Sequence, residues 1–426
     1  MSLQYLADFT SKGEPSENSV FSTIWSEGLV LASYSDASLK AFRPSDGQLL
    51  CRDLRVASVK RTVELEDLGK VPIRNLVNNL SYSESQGLAL SNSVDGSLEL
   101  WDLTHLARVG GTSTEARPIH LGAGQIAVAE YAEESEDQAM KEDSEDSKED
   151  LVRGEELLAS SLDSLPRVCS QDRTTSRVHR VPESWSTCIH PTRPIFASTG
   201  SGALVSLHHT GTSREGESKG FGELVRIFGP FDGDDDDEGV NAQRASDEDL
   251  FGLKVVFSLE GEMVAVGTNS GQVFVYDTDT GELLITYADH ALPVRSLTFS
   301  EGHHLILGSD DKTITIHDVR DLRRIHSLQE GKRRRRRIGS TVANLRGHKG
   351  WILDLKTSSD GRILASSSTD KTIKLWDLKV NPKTCVFTFS ETGNVWSISW
   401  KPRPSSAFLT GGDDGVIRWY RSGGVT

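Results

Sequence analysis

Residues 350–377 read GWILDLKTSSDGRILASSSTDKTIKLWD, and this stretch decides the fold. It contains three runs in which apolar and polar residues alternate, and the turn segments SSDG and STDK separate them. The third run ends in Trp376 and Asp377. Alternation with a period of two, bounded by turns rich in Gly, Ser and Asp, predicts three short antiparallel β-strands.

The same pattern recurs along the chain, at a spacing of roughly 40 residues where nothing is inserted. Segments 253–277, 294–318 and 395–421 match it closely, and 20–42, 77–102 and 185–209 match it in outline. Multi-strand repeats of this length with a closing Trp-Asp pair are typical of WD40 propeller blades. A bulky residue closes the third run of each segment: Phe42, Trp101, Leu207, Tyr276, His317, Trp376 and Tyr420.

We therefore expect an all-β fold, one seven-bladed WD40 β-propeller that spans residues 1–426 as a single domain. The last repeat has only three strand segments and ends near Arg421. Residues 3–9 have strand character, and we expect this N-terminal strand to pair beside 415–421 and close the ring. Closure would remove two unpaired strand edges, which are sites of aggregation.

Three charged insertions interrupt the repeats, at 106–183, 211–250 and 330–340. Residues 130–156 hold 13 acidic and 3 basic side chains, and 232–238 add six acidic ones, so these tracts account for −16 of a chain charge of −15. We expect the first two insertions to be largely disordered because they have too few apolar residues to form a core. The third contains six consecutive basic residues and is compatible with a solvated loop, a nuclear-import signal or a nucleic-acid contact.

The composition argues against several classes of protein. No apolar stretch is long enough to predict a membrane span, and the N-terminus lacks the pattern of a secretory signal. The four cysteines have no paired spacing, which favours reduced thiols. Because no catalytic, metal-binding or cofactor-binding motif appears, we expect a protein that is not an enzyme and that holds neither a metal nor a cofactor.

One repeat carries residues at the spacing of the WD40 structural tetrad. In that family four side chains hydrogen-bond in sequence and fix the turn between strands. The pattern assigns the tetrad to His348, Ser368, Asp370 and Trp376. The preceding repeat has His290, Ser309 and Asp311, but His317 replaces the tryptophan.

The first residue of each innermost strand is expected at the top rim of the central channel. Alignment of the repeats gives Phe21, Asn78, Trp185, Leu253, Arg295, Trp351 and Trp396 at this position. Large aromatics at an exposed rim favour capture of a partner peptide, although packing inside the channel is the alternative. Asp310 and Asp413 precede the turn aspartates, and we expect them to pair with a basic side chain of the partner.

Three stretches resemble one WD40 family in particular. HALPVRSLTFS from His290, HKGWILDL from His348 and VIRWYRSGG from Val416 are similar to the small WD40 subunit of the superkiller (Ski) complex. The resemblance covers 253–424 clearly and 20–105 in part, and it does not extend to the acidic insertion at 106–183.

The resemblance implies a scaffold. Members of this family join a tetratricopeptide subunit to a DExH-type RNA helicase, and the assembly feeds mRNA to the exosome for 3′-to-5′ decay in the cytoplasm. Fungal members also contact the topoisomerase-like protein that makes meiotic double-strand breaks. Partners of the family present a Gln-Arg motif to the top of the propeller, so Trp351 and Trp396 would flank the peptide, with Asp310 or Asp413 on its arginine. The resemblance implies a cytoplasmic and nuclear protein that binds neither membranes nor nucleic acid directly.

Two alternatives remain open. The animal relative also associates with the Paf1 transcription-elongation complex, so a nuclear, Paf1-like chromatin adaptor, or a direct nucleic-acid binder using Arg333–Arg337, competes with the RNA-decay scaffold. A propeller that is near neutral outside its insertions has no broad basic face, which argues against nucleic-acid binding. A substrate receptor of a ubiquitin ligase is a third possibility, but no accessory helical segment marks it.

Overall fold

The described residues form one closed ring of β-sheets around a central channel. The computed structural model describes residues 5–11, 18–36, 38–51, 62–65, 69–72, 77–93, 98–103, 120–121, 168–171, 178–181, 185–211, 222–230, 250–320, 322, 339, 341–403 and 406–422. Within these ranges, seven four-stranded antiparallel sheets are the blades of a β-propeller, which confirms the predicted fold class.

The strands are numbered β1 to β32 in chain order, and β1 is Tyr5–Thr10. Blade one contains β2 Val20–Trp25, β3 Val30–Tyr34, β4 Leu39–Phe42 and β5 Leu49–Cys51. Blade two contains β8 Val77–Ser83, β9 Leu88–Ser93, β10 Leu98–Asp102 and β11 His120–Leu121. Blade three contains β14 Ser186–Ile189, β15 Ile195–Thr199, β16 Val205–His209 and β17 Leu224–Phe228. Two further hairpins are formed by the segments that connect these blades along the chain: β6 Thr62–Leu65 with β7 Gly69–Pro72, and β12 Val168–Gln171 with β13 Val178–Val181.

Four blades follow in the second half of the chain. Blade four contains β18 Gly252–Phe257, β19 Met263–Thr268, β20 Val273–Asp277 and β21 Leu283–Tyr287. Blade five contains β22 Val294–Ser300, β23 His304–Ser309, β24 Thr313–Asp318 and β25 Ala343–Arg346. Blade six contains β26 Ile352–Thr357, β27 Ile363–Ser368, β28 Thr372–Asp377 and β29 Thr384–Ser390. Blade seven contains β30 Val395–Trp400, β31 Ala407–Gly412 and β32 Ile417–Ser422, with β1 as its outer strand.

The ring closes through the first strand of the chain, as predicted. Tyr5 of β1 is opposite Ser422 of β32, and the two strands run antiparallel. Phe9 stacks on Trp419 with ring centroids 4.8 Å apart, and the amide of Ser11 donates to the carbonyl of Ile417 at 2.8 Å. The outer strand of blade seven therefore comes from the opposite end of the chain.

The core lies between neighbouring blades. Trp101 of blade two shares a buried cluster with Leu31 of blade one, and Trp419 of blade seven shares one with Val30 of blade one. The middle strands are covered on both faces, and all six residues of β27 are buried. This double coverage explains why the middle strands are rich in small and apolar residues.

Hydrogen bonds from side chain to backbone also join the innermost strands. Ser22 Oγ of blade one accepts from the amide of Leu80 at 3.1 Å, and Ser397 Oγ of blade seven accepts from the amide of Thr23 at 3.0 Å. When the seven innermost strands are aligned by their pairing with the next strand, the equivalent residues are Ser22, Asn79, Ser186, Lys254, Ser296, Asp354 and Ser397. Six of these seven side chains hydrogen-bond to the next blade, whereas Lys254 of blade four reaches Asn79 of blade two.

Strands occur inside the first two predicted insertions. β11, the outer strand of blade two, and the hairpin of β12 with β13 lie within 106–183, and β17, the outer strand of blade three, lies within 211–250. The acidic tracts 130–156 and 232–238 lie outside the described residues, as does the basic segment 330–340 apart from Gly339. Among the residues that are described, no helix is long and apolar enough to cross a membrane.

Candidate functional site

A β-bulge defines the rim position on the innermost strands. In six blades the pairing with the next strand shifts after the first residue, which leaves one residue unpaired. In blade three Trp185 takes this place, because its amide donates to the carbonyl of Thr199 at 2.8 Å, just before the paired strand begins. The rim residues are therefore Phe21, Asn78, Trp185, Leu253, Arg295, Leu353 and Trp396.

Blade six departs from the predicted alignment. Its rim residue is Leu353, and Trp351 lies two residues earlier, just before β26. The amide of Trp351 donates to Thr369 Oγ1 at 2.9 Å, and its carbonyl accepts from the amide of Thr369 at 3.1 Å. The backbone is thus fixed on both sides while 47% of the residue's surface remains exposed. The sequence pattern missed this because it does not reveal the bulge.

Arg295 links blade five to this tryptophan. Its guanidinium carbon lies 5.4 Å from the centre of the Trp351 ring, within the range of a cation–π contact. Its Nε donates to both oxygens of Asp310, at 2.8 and 2.9 Å. The side chain of Asp310 is only 5% exposed, whereas that of Arg295 is 36% exposed. The guanidinium and the indole therefore face solvent here, and the carboxylate predicted to receive a partner's basic group is already paired within the chain.

Blade seven holds the second predicted carboxylate. Asp413 accepts hydrogen bonds from Trp396 Nε1 and, at 3.2 Å, from the amide of Asn394. The Trp396 ring meets Phe21 of blade one edge-on, with centroids 5.7 Å apart. Asp413, Trp396 and Phe21 are all half-buried. The geometry brings these three predicted residues together across the closure between blades seven and one.

Trp185 lies in a separate part of the rim. Its ring meets that of Phe251 edge-on, with centroids 5.8 Å apart, and this contact joins blade three to the segment that leads into blade four. The structure therefore gathers the predicted rim residues into an Arg295–Asp310–Trp351 group, a Phe21–Trp396–Asp413 group and Trp185.

The tetrad of blade six is built around a different serine. Ser366 Oγ lies 2.7 Å from His348 Nε2, and Trp376 Nε1 donates to the same oxygen at 2.9 Å. His348 Nδ1 lies 3.0 Å from Asp370. Ser368 instead accepts from the amide of Asp370 at 3.1 Å, so its assignment to the tetrad is corrected. Burial raises the pKa of Asp370, but hydrogen bonds from His348 and Thr372 outweigh burial and hold this pKa below its usual range.

The third blade shows a related correction. His208, rather than Leu207, is the register equivalent of Trp376, since it pairs with Phe196 as Trp376 pairs with Leu364. Its Nε2 lies 3.5 Å from Ser198 Oγ, and burial lowers the pKa of this imidazole to about 4. Leu207 is directed into the buried apolar cluster between blades three and four.

Blade seven replaces the tetrad with an ionic chain. Tyr420 donates its hydroxyl to Glu391, which occupies the place of the tetrad histidine. Arg418 bridges the carboxylates of Glu391 and Asp414 at 3.0 and 2.6 Å. Burial raises the pKa of Glu391, although Tyr420 and Arg418 partly offset the effect. The three charged side chains of this chain are thus paired with one another.

No group of three or more metal-binding side chains occurs among the described residues. Four polar groups near the rim, the Arg295 guanidinium, the Asp310 and Asp413 carboxylates and the Trp396 indole N–H, are engaged by hydrogen bonds within the chain. Such a surface can recognise a partner by packing and hydrogen bonding.

Comparison with known proteins agrees with the fold. The family model described as "WD domain, G-beta repeat" matches residues 281–318, 339–377 and 383–421, which lie in blades five to seven and the strand before them. The human WD repeat and SOCS box-containing protein 1 is 32% identical over 29% of this chain and 26% of its own length. The WD repeat-containing protein slp1 of Schizosaccharomyces pombe is 30% identical over 42% of this chain and 33% of its own length.

A plant relative shows the same partial coverage. The LEC14B protein of Lithospermum erythrorhizon is 28% identical over 37% of this chain and 31% of its own length. The chain thus spans between about a quarter and two fifths of the curated relatives it matches. What is shared is the repeat, and the chain is a protein with WD40 repeats whose described residues form a seven-bladed propeller.

Proposed function

We propose that this chain is a non-catalytic scaffold whose top rim binds a short peptide segment of a protein partner. WD40 propellers typically serve as scaffolds for protein interaction. The observation that carries the proposal is Trp351, an exposed indole on a backbone fixed by two hydrogen bonds to Thr369. An aromatic side chain that is held in place before binding loses little conformational freedom when a partner covers it.

The finer part of the proposal rests on the resemblance in residues 253–424. It assigns the chain to the superkiller complex, where it would join a tetratricopeptide subunit to a DExH-type RNA helicase for exosome-mediated decay of mRNA. The same proposal includes support of meiotic double-strand-break formation and a location in both cytoplasm and nucleus. The curated relatives named above do not bear on this assignment.

The chemistry of the rim refines the expected contact. Asp310 is buried and paired with Arg295, so it is a poor receptor for a partner's arginine. Asp413 is half-buried and accepts one described hydrogen bond on each carboxylate oxygen, and each oxygen has a second lone pair. We therefore assign the partner's basic group to Asp413, beside the Trp396 ring, and a flat or apolar group to Trp351.

The test is affinity purification of the tagged protein from its native cells, followed by mass spectrometry. The wild type should co-purify a tetratricopeptide protein and a helicase. Trp351→Ala should reduce their recovery by about tenfold or more, since a hot-spot aromatic contributes at least about 1.4 kcal/mol. Leu259→Ala is the matched control, because Leu259 is 53% exposed in the turn between β18 and β19, at the other end of the strands.

The outcomes separate the two levels of the proposal. Loss of every partner in Trp351→Ala, with normal binding in Leu259→Ala, supports capture at the rim. Transcription or chromatin proteins in place of the helicase would overturn the RNA-decay assignment and leave peptide capture intact. Unchanged recovery in both Trp351→Ala and Trp396→Ala would overturn the rim as the binding surface.

A further inference from the structure

The guanidinium of Arg295 holds one carboxylate and has donors left for a second acceptor. Its described hydrogen bonds run from Nε to both oxygens of Asp310, at 2.8 and 2.9 Å. A guanidinium has five N–H donors, and Asp310 does not use those on Nη1 and Nη2. This edge of Arg295 is therefore available to an acceptor that comes from outside the chain.

Arg418 of blade seven shows how the same protein uses a guanidinium when two carboxylates are present. Its Nε pairs with Glu391 at 3.0 Å, and its Nη2 pairs with Asp414 at 2.6 Å. Arg418 thus has one carboxylate on Nε and another on Nη2. Among the residues that the structure describes, Arg295 has the first of these two partners and lacks the second.

Burial and the neighbouring indole restrict the direction from which a second acceptor can approach Arg295. The side chain of Asp310 is 5% exposed and that of Arg295 is 36% exposed, so the carboxylate lies on the buried side of the guanidinium. The Trp351 ring lies beside Arg295, with its centre 5.4 Å from the guanidinium carbon. A new acceptor must therefore come from solvent, and the group that carries it can pack against the exposed indole.

The surroundings of Arg295 and Trp351 present positive charge to solvent. Besides Arg295, three lysines lie in this region of blades five and six, against three carboxylates, which gives a net charge of +1. The lysines are exposed, and they are Lys312, Lys349 and Lys371. The carboxylates are recessed, since the side chains of Asp310, Asp311 and Asp370 are 5%, 20% and 8% exposed. A partner therefore meets positive charge first, which favours a negative group at this place.

We propose that the Arg295–Trp351 pair binds an acidic side chain, Asp or Glu, of the partner peptide. The carboxylate oxygens accept from Nη1 and Nη2 of Arg295, and the methylene stem of the acid packs against the Trp351 ring. A planar carboxylate matches the fork of a guanidinium, and such charge-assisted pairs are stronger than neutral hydrogen bonds. This inference rests on the capture of a peptide at the rim, and it adds the chemistry of one subsite. With a basic group at Asp413, the partner segment would carry charges of both signs.

Peptides selected on the full chain test this subsite. A displayed library of random peptides is selected for binding to the wild type, and the binders that Trp351→Ala no longer retains are kept as ligands of the rim. One such ligand is synthesised as selected and with each acidic residue in turn replaced by its amide, Glu by Gln or Asp by Asn. Fluorescence anisotropy gives Kd for each peptide. We expect one amide version to bind the wild type about tenfold more weakly, at the lower end for a charge-assisted hydrogen bond because Arg295 is partly exposed.

Three variants assign the effect to Arg295. Arg295→Gln should lose the preference for the carboxylate over the amide, because the guanidinium that distinguishes them is gone. Arg295→Gln combined with Asp310→Asn should do the same, and it leaves no buried carboxylate without a partner if the single variant is unstable. Arg346→Gln is the matched control, since it makes the same change in charge at an exposed position on β25, the outer strand of the same blade. This control should keep the preference of the wild type.

The outcomes separate the subsite from capture at the rim. If no selected peptide depends on either Trp351 or Trp396, capture at the rim is itself overturned. If ligands depend on Trp396 alone, or if Arg295→Gln prefers the carboxylate as strongly as the wild type does, only the acidic subsite is overturned. A phosphoserine version of the peptide that binds while the Glu version does not would replace the carboxylate by a phosphate, and the proposal would likewise fail.

Discussion

Thr315 Oγ1 lies 2.9 Å from His290 Nε2 in blade five, where it replaces a serine on the neighbouring strand. In blade six the hydroxyl between histidine and tryptophan belongs to Ser366 on β27. The equivalent residue of blade five is Leu307, which is directly opposite Thr315 of β24. The bridging hydroxyl of blade five therefore comes from the third strand of its blade, whereas that of blade six comes from the second. It lies close to both His290 and, at 3.0 Å, His317.

We predict that Thr315→Val destabilises the protein by about 1–3 kcal/mol, because it removes the hydroxyl that two buried imidazoles share. Denaturant unfolding measures the change. Thr298→Val is the control, since Thr298 is half-buried and its described hydrogen bond goes to a neighbouring backbone carbonyl at 3.3 Å. Equal losses in the two variants would contradict the role given to Thr315.

Ser366 and Ser368 provide a matched pair in blade six. Ser366→Ala should cost about 1–3 kcal/mol, because His348 and Trp376 both lose their buried partner. Ser368→Ala should cost less, about 0.5–1 kcal/mol, because it removes one bond from the amide of Asp370. Urea unfolding of the two variants ranks them, and the reverse order would restore Ser368 to the tetrad.

Acid should destabilise the fold through His190 and His208. Burial lowers the pKa of each to about 4 from a reference of 6.5, and Arg193 adds to the shift of His190. The unfolded chain therefore binds protons first, so the stabilisation is complete above pH 6.5 and is lost as pH falls towards 4. Each histidine contributes a slope of up to about 1.4 kcal/mol per pH unit in this window.

Urea midpoints at several pH values between 7 and 4.5 measure that slope. His208→Gln removes one of the two titrating groups, so its midpoint should fall less steeply with acid than that of the wild type. Replacement of His209 by Gln is the control, since His209 adjoins His208 but is only half-buried. A slope that is the same in all three proteins would rule out His208 as a source.

Removal of β1 should open the ring. Deletion of residues 1–11 takes away the stack of Phe9 on Trp419 and the whole outer strand of blade seven. We expect a clear fall in Tm and self-association, because β32 then presents an unpaired edge. Light scattering and thermal unfolding record the two effects.

A synthetic peptide of residues 1–11 provides the control for that deletion. Added in excess, it should restore Tm and suppress association, since it can pair with β32 without being part of the chain. Phe9→Ala in the peptide should weaken the rescue. Failure of the wild-type peptide to rescue would mean that closure is not what the deletion disturbs.

The sequence predicted the number of blades and the strand that closes the ring, because alternation and turn residues repeat clearly. For several positions of the rim and the tetrad, the sequence pattern selected a residue one or two positions away from the one that the structure places there. Leu353 takes the rim position expected for Trp351, since a β-bulge leaves one residue unpaired and spacing does not reveal it. Ser366 and His208 replace Ser368 and Leu207 for the related reason that strand register, and not distance along the chain, decides which side chains meet.

The ion pair between Arg295 and Asp310 at the rim could not be predicted from the sequence either. Asp310 lies 15 residues after Arg295, in the turn that follows β23, and only their contact shows that the carboxylate is occupied.

The pairing of β1 with β32 also sets an order of events during synthesis. β32, the partner of β1, is made roughly 400 residues after it, a delay of about 20–80 s at ~5–20 residues per second. Throughout that interval the first strand has no native partner, although six blades can already assemble behind it. β1 therefore waits for its partner until the strands of blades one to six have been made, and conditions that slow translation lengthen its exposure to other strands.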